Sequence, residues 1–396
     1  MSLNDTPRAN RLHIGIFGKR NSGKSTLINA ITGHNTALVS DVAGTTTDPV
    51  YKTMEICGIG PCVLIDTPGF DDEGHLGLMR VEKTRLAMEK TDIALIVCCD
   101  EDIREELYWI DLFKKRKTPF VIIINKADQI INAEYIARLF EEACKERSLI
   151  ISAKNKTGIE NIREEIMRKL PEDYDAASIT GNLAGENDTI LLVMPQDIQA
   201  PKGRLILPQV QTLRELLDKK CIVSSCTTDK LDQALANFVK PPKLIITDSQ
   251  VFRIVYDKKP KESMLTSFSV LFANYKGDIH YYAESAAAIE QLTENSKVLI
   301  AEACTHAPLT EDIGREKIPH MLRKKVGEGL TVDIVSGSDF PADLSPYDLI
   351  IQCGACMFNR KYVLNRIEQA QTQKVPMTNY GVVIAYLTGI LDKIEY

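Results

Sequence analysis

The chain has 396 residues, 44% of them hydrophobic and 26% charged, with a formal net charge of −6. That length exceeds a single ordinary core and predicts two or three domains of globular composition. The acidic balance argues against a general binder of nucleic acid or anionic membrane, and no apolar stretch approaches a membrane span.

The first residues, MSLNDTPRANRLH, lack the apolar core of a signal peptide. Ten cysteines without such a signal read as thiols or ligands rather than a disulfide framework, so the expected compartment is the cytosol. The apolar run Leu12–Phe17 predicts a strand and Lys24–Ile31 a helix. Between them Gly18-Lys19-Arg20-Asn21-Ser22-Gly23-Lys24-Ser25 is a complete G-x-x-x-x-G-K-S loop in the context that motif needs. Its glycines let successive N–H groups face an anion, and the helix start adds positive potential there. Lys24 is expected to neutralise the β- and γ-phosphates, and the Ser25 hydroxyl to ligate Mg²⁺, with Ser22 and Thr26 also in the nucleotide site.

Further along, Gly44-Thr45-Thr46-Thr47-Asp48-Pro49 is a polar segment in which Thr45 or Thr46 would sense Mg²⁺ and γ-phosphate. Asp66-Thr67-Pro68-Gly69 closes the apolar run Cys62–Ile65; Asp66 would hold Mg²⁺ through water, and the Gly69 amide would reach the γ-phosphate. Asn125-Lys126-Ala127-Asp128 follows the strand Phe120–Ile124, and Ser152-Ala153-Lys154 follows Ser148–Ile151. The Asp128 carboxylate can accept from N1–H and the exocyclic amine of guanine. Adenine offers no such donor pair, so the set points to GTP and GDP rather than ATP.

These motifs resemble the translation-factor-related GTPases of the TrmE–Era type. In that group an asparagine at the place of Asn21 resembles the ligand of a catalytic K⁺, whose charge would do the work of an arginine finger. Phe70 follows Gly69 where Ras-like enzymes carry a glutamine that orients water, so the resemblance implies slow, K⁺-stimulated hydrolysis in which Lys24, Asn21, Thr46, Asp66 and Gly69 take part.

The GTPase domain is expected to end with the helix Gly158–Leu170 before Pro171, giving residues 1–171, followed by a polar linker over 172–188. Strands at Thr189–Met194, Cys221–Ser224 and Lys243–Thr247 alternate with helices at Pro208–Lys219 and Lys230–Phe238, a small parallel α/β unit over 189–267. A third block, 268–396, carries strands at Val298–Ala303, Thr331–Val335 and Leu349–Gln352, with helices near Ala283–Thr293, Ile318–Val326 and Tyr362–Thr372. The expected fold class is thus α/β, a P-loop GTPase domain and two smaller α/β domains.

Cys98 and Cys99 end the apolar strand Ile93–Val97 and read as packing residues. Cys304, just past one strand end, and Cys353-Gly354-Ala355-Cys356, just past another, are different. Ligands in open α/β sheets bind outside the carboxyl ends of strands. Two strands therefore bring three thiols, with His306 nearby, to one sheet edge, and Gly354 is expected to let the loop turn tightly. By spacing alone the centre is a zinc site, a [4Fe–4S] cluster or a redox pair.

A TrmE-like GTPase joined to a C-x-H…C-x-x-C block resembles the [FeFe]-hydrogenase maturation GTPases, the HydF family, over essentially the full length. The resemblance implies a dimerisation domain and a domain binding a [4Fe–4S] cluster through Cys304, Cys353 and Cys356. It implies a homodimeric scaffold that carries the diiron subcluster, built with two radical-SAM maturases, to apo-[FeFe]-hydrogenase, with neither membrane nor nucleic acid as partner. The family pattern usually has histidine before the Cys-x-x-Cys, whereas this chain has Gln352. The fourth ligand is then His306, a carboxylate or an exchangeable group. A TrmE/Era-like role in tRNA modification or ribosome assembly with structural zinc is the alternative, as is a zinc-stabilised signalling GTPase.

Overall fold

The computed structural model describes residues 8–32, 49–56, 59–69, 74–170, 178–195, 205–303 and 313–396. The chain divides into two compact units, Met1–Asp175 and Ala176–Tyr396.

The first unit runs β1 (Leu12–Phe17), α1 (Lys24–Thr32), β2 (Val50–Ile56), β3 (Gly60–Asp66), α2 (Gly74–Glu89), β4 (Ile93–Cys98), α3 (Arg104–Lys115), β5 (Phe120–Ile124), α4 (Ala133–Cys144), β6 (Ser148–Ile150) and α5 (Ile159–Lys169). Its six strands lie in the order β2-β3-β1-β4-β5-β6, all parallel except β2 against β3. Strands β1, β4 and β5 are buried at every residue, as continuous apolar runs covered on both faces must be. Because β1 pairs with β3 on one side and β4 on the other, the winding reverses at its carboxyl end. That crevice is where the phosphate loop sits.

The second unit runs β7 (Thr189–Val193), α6 (Leu207–Asp218), β8 (Ile222–Cys226), α7 (Leu231–Ala236), β9 (Leu244–Thr247), α8 (Phe252–Lys258), β10 (Met264–Ser267), α9 (Phe268–Lys276) and α10 (Ile279–Ala286). It continues with β11 (Lys297–Glu302), α11 (Ile318–Val326), β12 (Thr331–Ser336), β13 (Leu349–Gln352), α12 (Arg360–Thr372), β14 (Met377–Asn379) and α13 (Tyr380–Leu387). Two four-stranded parallel sheets result, β10-β9-β7-β8 and β12-β11-β13-β14. One apolar cluster draws on both: Leu191, Ile245 and Leu265 from the first sheet meet Leu299, Ile350 and Met377 from the second.

Residues 178–188, expected as linker, are packed. Ile179 and Ala184 are buried with Ile190 and Leu216. The Glu215 carboxylate accepts from the Ser178 hydroxyl at 3.0 Å, the Ile179 and Thr180 amides at 2.6 and 2.8 Å, and the Thr180 hydroxyl at 2.6 Å. Burial pushes that carboxyl up, but these donors hold it below its ordinary value. The polarity of this stretch thus satisfies a half-buried carboxylate, which composition alone does not distinguish from a solvated spacer.

The helix expected near Ala283–Thr293 begins earlier, because Asp278 caps α10 by accepting from the Tyr281 amide at 3.0 Å, and it ends in the 3-10 turn Ala287–Gln291. Among the described residues no helix is long and apolar enough to cross a membrane.

Candidate functional site

The phosphate loop turns through left-handed backbone at Asn21 (φ 59°) and Gly23 (φ 90°). A Cβ on Gly23 would strike the Asn125 side-chain amide, so close approach as well as φ requires glycine there. Asparagine tolerates the left-handed region, which gives exposed Asn21 a structural reason beside the expected cation role. The Lys24 ammonium donates to the Gly18 and Lys19 carbonyls, each at 2.8 Å, and so braces the loop. The Ser25 hydroxyl donates to Asp66 Oδ2 at 3.2 Å, which brings together the two groups expected around Mg²⁺. Burial pushes the Asp66 carboxyl up, opposed by Lys24 and Ser25. An oxygen pair of this kind, half enclosed, fits a hard divalent cation. Thr67 donates to the Ile16 carbonyl at 2.6 Å and ties the segment leading to half-buried Gly69 onto β1. Ser22 is buried and Thr26 half-buried on the first turn of α1; Thr45, Thr46 and Phe70 lie outside the described residues.

At the base end Asn125 is a strut. Its amide group donates to the Ser22 carbonyl at 3.0 Å and its side-chain oxygen accepts from the Ala153 amide at 3.0 Å, joining the phosphate loop to the Ser152–Lys154 loop. Ser152 donates to Asp128 Oδ1 at 2.6 Å, and this bond holds the exposed Asp128 carboxyl below its ordinary value. The Lys126 methylene stem lies against Gly23, and Lys154 is exposed. Sequence reasoning passed over Glu106. This α3 residue is fully buried, 3.7 Å from the ammonium of Lys19 in the phosphate loop, and burial pushes its carboxyl up to about 7. A glutamate in an amphipathic helix gives no signal of burial.

In the second unit the Cys353 amide donates to the Ala301 carbonyl at 3.0 Å, and its sulfur accepts from the Ala303 amide at 3.0 Å and the Ala355 amide at 3.4 Å. The sulfur is therefore held against the end of β11, one residue short of Cys304. Cys304 and His306 lie outside the described residues. Burial pushes the Cys353 thiol up to about 11, with those two N–H donors opposing. N–H donors aimed at sulfur favour a thiolate, so Cys353 fits a soft-metal centre. Among the described residues no three His, Cys, Asp or Glu side chains gather in a metal-holding group. The turn works differently from the expectation: the left-handed position is Ala355 (φ 49°), while a side chain at Gly354 would meet nothing among the described residues. Lys276 and Arg366, which flank this loop, carried no motif.

Fold and sites together define the class: a P-loop GTPase domain followed by a unit of two parallel sheets. Residues 13–126 match the family described as 50S ribosome-binding GTPase. Residues 179–277 match the Hydrogen maturase F dimerization domain and 280–395 its tetramerization domain. The chain belongs to the hydrogen maturase F family, the GTPases of hydrogenase maturation. It is 35% identical over 171 residues to the tRNA modification GTPase MnmE of Endomicrobium trichonymphae, covering 40% of this chain and 35% of that protein. It is 31% identical over 176 residues to the GTPase Era of Heliobacterium modesticaldum, covering 42% and 58%. The match thus spans between about a third and three fifths of these curated relatives. A crystal structure of an Aquifex aeolicus Era variant bound to GDP and aluminium fluoride aligns at 22% identity and a TM-score of 0.37, over 54% of this chain and 92% of that one.

Proposed function

We propose that the protein binds and hydrolyses GTP with Mg²⁺, and that this cycle gates a cluster-carrying unit in assembly of the [FeFe]-hydrogenase active site. Lys24 exchanges its loop carbonyls for the β- and γ-phosphates, Ser25 and Asp66 hold the cation, and Asp128, set by Ser152, reads guanine. A monovalent cation at Asn21 would supply charge beside the β/γ oxygens, making turnover slow and K⁺-stimulated. Thr46 and the Gly69 amide complete the γ-phosphate contacts.

In the second unit Cys304, Cys353 and Cys356 hold a [4Fe–4S] cluster, with the fourth position His306, a carboxylate or an exchangeable group. Three cysteines would leave one position of the cluster without a protein thiolate, open to an exogenous ligand such as the diiron precursor. The protein acts as a homodimeric scaffold in the cytosol, with 1–171 as GTPase domain, 189–267 for dimerisation and 268–396 for the cluster. It receives its cargo with radical-SAM maturases and passes it to apo-[FeFe]-hydrogenase.

The observation that carries this reading is the Cys353 sulfur, hydrogen-bonded to the residue before Cys304 in a chain that also has the guanine-nucleotide loops. Purified without oxygen, the protein should be brown and contain iron and sulfide. Serine at Cys304, Cys353 or Cys356 should remove the cluster and hydrogenase activation while GTP turnover persists. Stoichiometric zinc without iron in the wild-type protein would overturn the reading.

A further inference from the structure

The Cys353–Cys356 loop lies between two buried cations. Lys276, the last residue of α9, is 2% exposed, and its ammonium donates to the carbonyls of Ala355, Cys356 and Phe358 at 3.1, 3.3 and 2.7 Å. Arg366 on α12 is 3% exposed, its guanidinium 4.6–4.8 Å from the ring centres of Phe340, Phe358 and Tyr362. It donates to the Gly337 carbonyl at 2.6 Å and to Gln352 Oε1 at 3.1 Å, while its Nε has no hydrogen-bond partner among the described residues.

Each of these hydrogen-bond and ring partners is neutral, and among the described residues neither cation forms an ion pair with a carboxylate. Among the described residues, the ionisable groups that act on Lys276 are the Cys356 and Cys353 thiols. An unpaired charge in a dry interior is costly, and neutral residues of the same size would pack there at less expense. Two such charges beside one loop make sense where an anion completes the site.

Both cations also reach the sulfur through defined bonds. Gln352, fully buried, accepts from Arg366 and donates through Nε2 to Cys353 Sγ at 3.8 Å. Lys276 gathers the loop carbonyls on its own side, and the Ala355 amide donates to the same sulfur. Three thiolates outweigh the positive charge of an oxidised iron–sulfur core, so the assembly is an anion and its reduced form a more negative one. We propose that Lys276 and Arg366, the latter through Gln352, are positioning residues that compensate the charge of an anionic metal–thiolate centre at Cys353 and Cys356 and raise its reduction potential. The inference rests on the cluster reading above.

The test uses full-length protein reconstituted anaerobically with ferrous iron and sulfide, titrated with dithionite and followed by the electron paramagnetic resonance of the reduced cluster. Lys276→Gln keeps a donor for the carbonyls but removes the charge. It should retain iron while the midpoint potential moves to more negative values, with GTP turnover unchanged. Arg366→Gln should move it the same way, and Arg366→Lys should leave it near wild type. Should Lys276→Gln fail to fold by circular dichroism, the Arg366 pair decides alone. Neutral variants that hold iron at the wild-type potential would show the cations to be mere loop braces and overturn the inference. A wild-type protein that takes up no iron would instead sink the cluster reading, and this inference with it.

Discussion

Both candidate sites are loops at the carboxyl ends of parallel strands, and both are braced by a lysine that donates to loop carbonyls. The difference lies in where the lysine comes from. Lys24 starts the helix that follows its loop, faces the crevice and has Asp66 as a nearby counter-charge. Lys276 arrives from a helix 79 residues before Ala355 and is sealed in with no carboxylate beside it among the described residues. A lysine that holds carbonyls provisionally suits a ligand that comes and goes. One that is locked in suits a ligand that stays.

The largest effect expected from breaking this contrast is at Lys24. Lys24→Ala should lower GTP turnover by at least about a hundredfold, because a cation aimed at developing phosphate charge is lost. Its thermal unfolding should change little; a collapse of the fold would mean that the lysine is a fixed brace after all. At the base end, Asp128→Asn should weaken GTP binding on the order of a hundredfold, since two charge-assisted bonds are lost, and shift preference toward xanthosine triphosphate. Unchanged nucleotide preference in competition binding would remove Asp128 from the site.

Glu106 sharpens the comparison, being a buried charge of the GTPase unit that does have a cation near it. Its folded pKa, about 7, stands above the ordinary 4.5. The unfolded chain therefore releases this proton first, and stability falls as pH rises from about 4.5 to about 7, staying reduced above that. Glu106→Gln should gain up to about 3 kcal/mol in urea melts at pH 8 and nothing at pH 4. An equal gain at both pH values would count against a titrating carboxylate. The smallest effect is at Asn21: hydrolysis in K⁺ should exceed that in Na⁺ by about tenfold, mainly in kcat, and Asn21→Ala should erase the difference. Equal rates in the two salts would leave only its left-handed turn to explain the residue.

The GTPase unit was legible because its signals are contiguous: strand, loop and helix follow one another from Leu12 to Thr32, and the motifs at Asp66, Asn125 and Ser152 each come at or just after the end of a strand. What escaped was either edge-like or uniform. β2 lies along the sheet edge and mixes apolar and polar pairs, Val50-Tyr51 and then Lys52-Thr53, without strict alternation, and α9 and α13 are buried nearly all round and show no helical period. The thiol loop was legible from spacing, but its supports were not. Lys276 ends an apolar helix far away in sequence, and Gln352, which reads as a missing ligand, is the link between Arg366 and the Cys353 sulfur. Contacts between distant segments leave no local pattern to read.

The Asn125 strut carries a consequence for how affinity is divided along the nucleotide. By fastening the Ser22 carbonyl to the Ala153 amide, it makes the phosphate loop and the base loop order as one body. A ligand that fills both ends meets the entropy of ordering once, whereas guanosine or a bare polyphosphate meets all of it for half the contacts. Whole GTP therefore binds more tightly than the product of its fragments' affinities, and that surplus vanishes when Asn125 no longer joins the two loops.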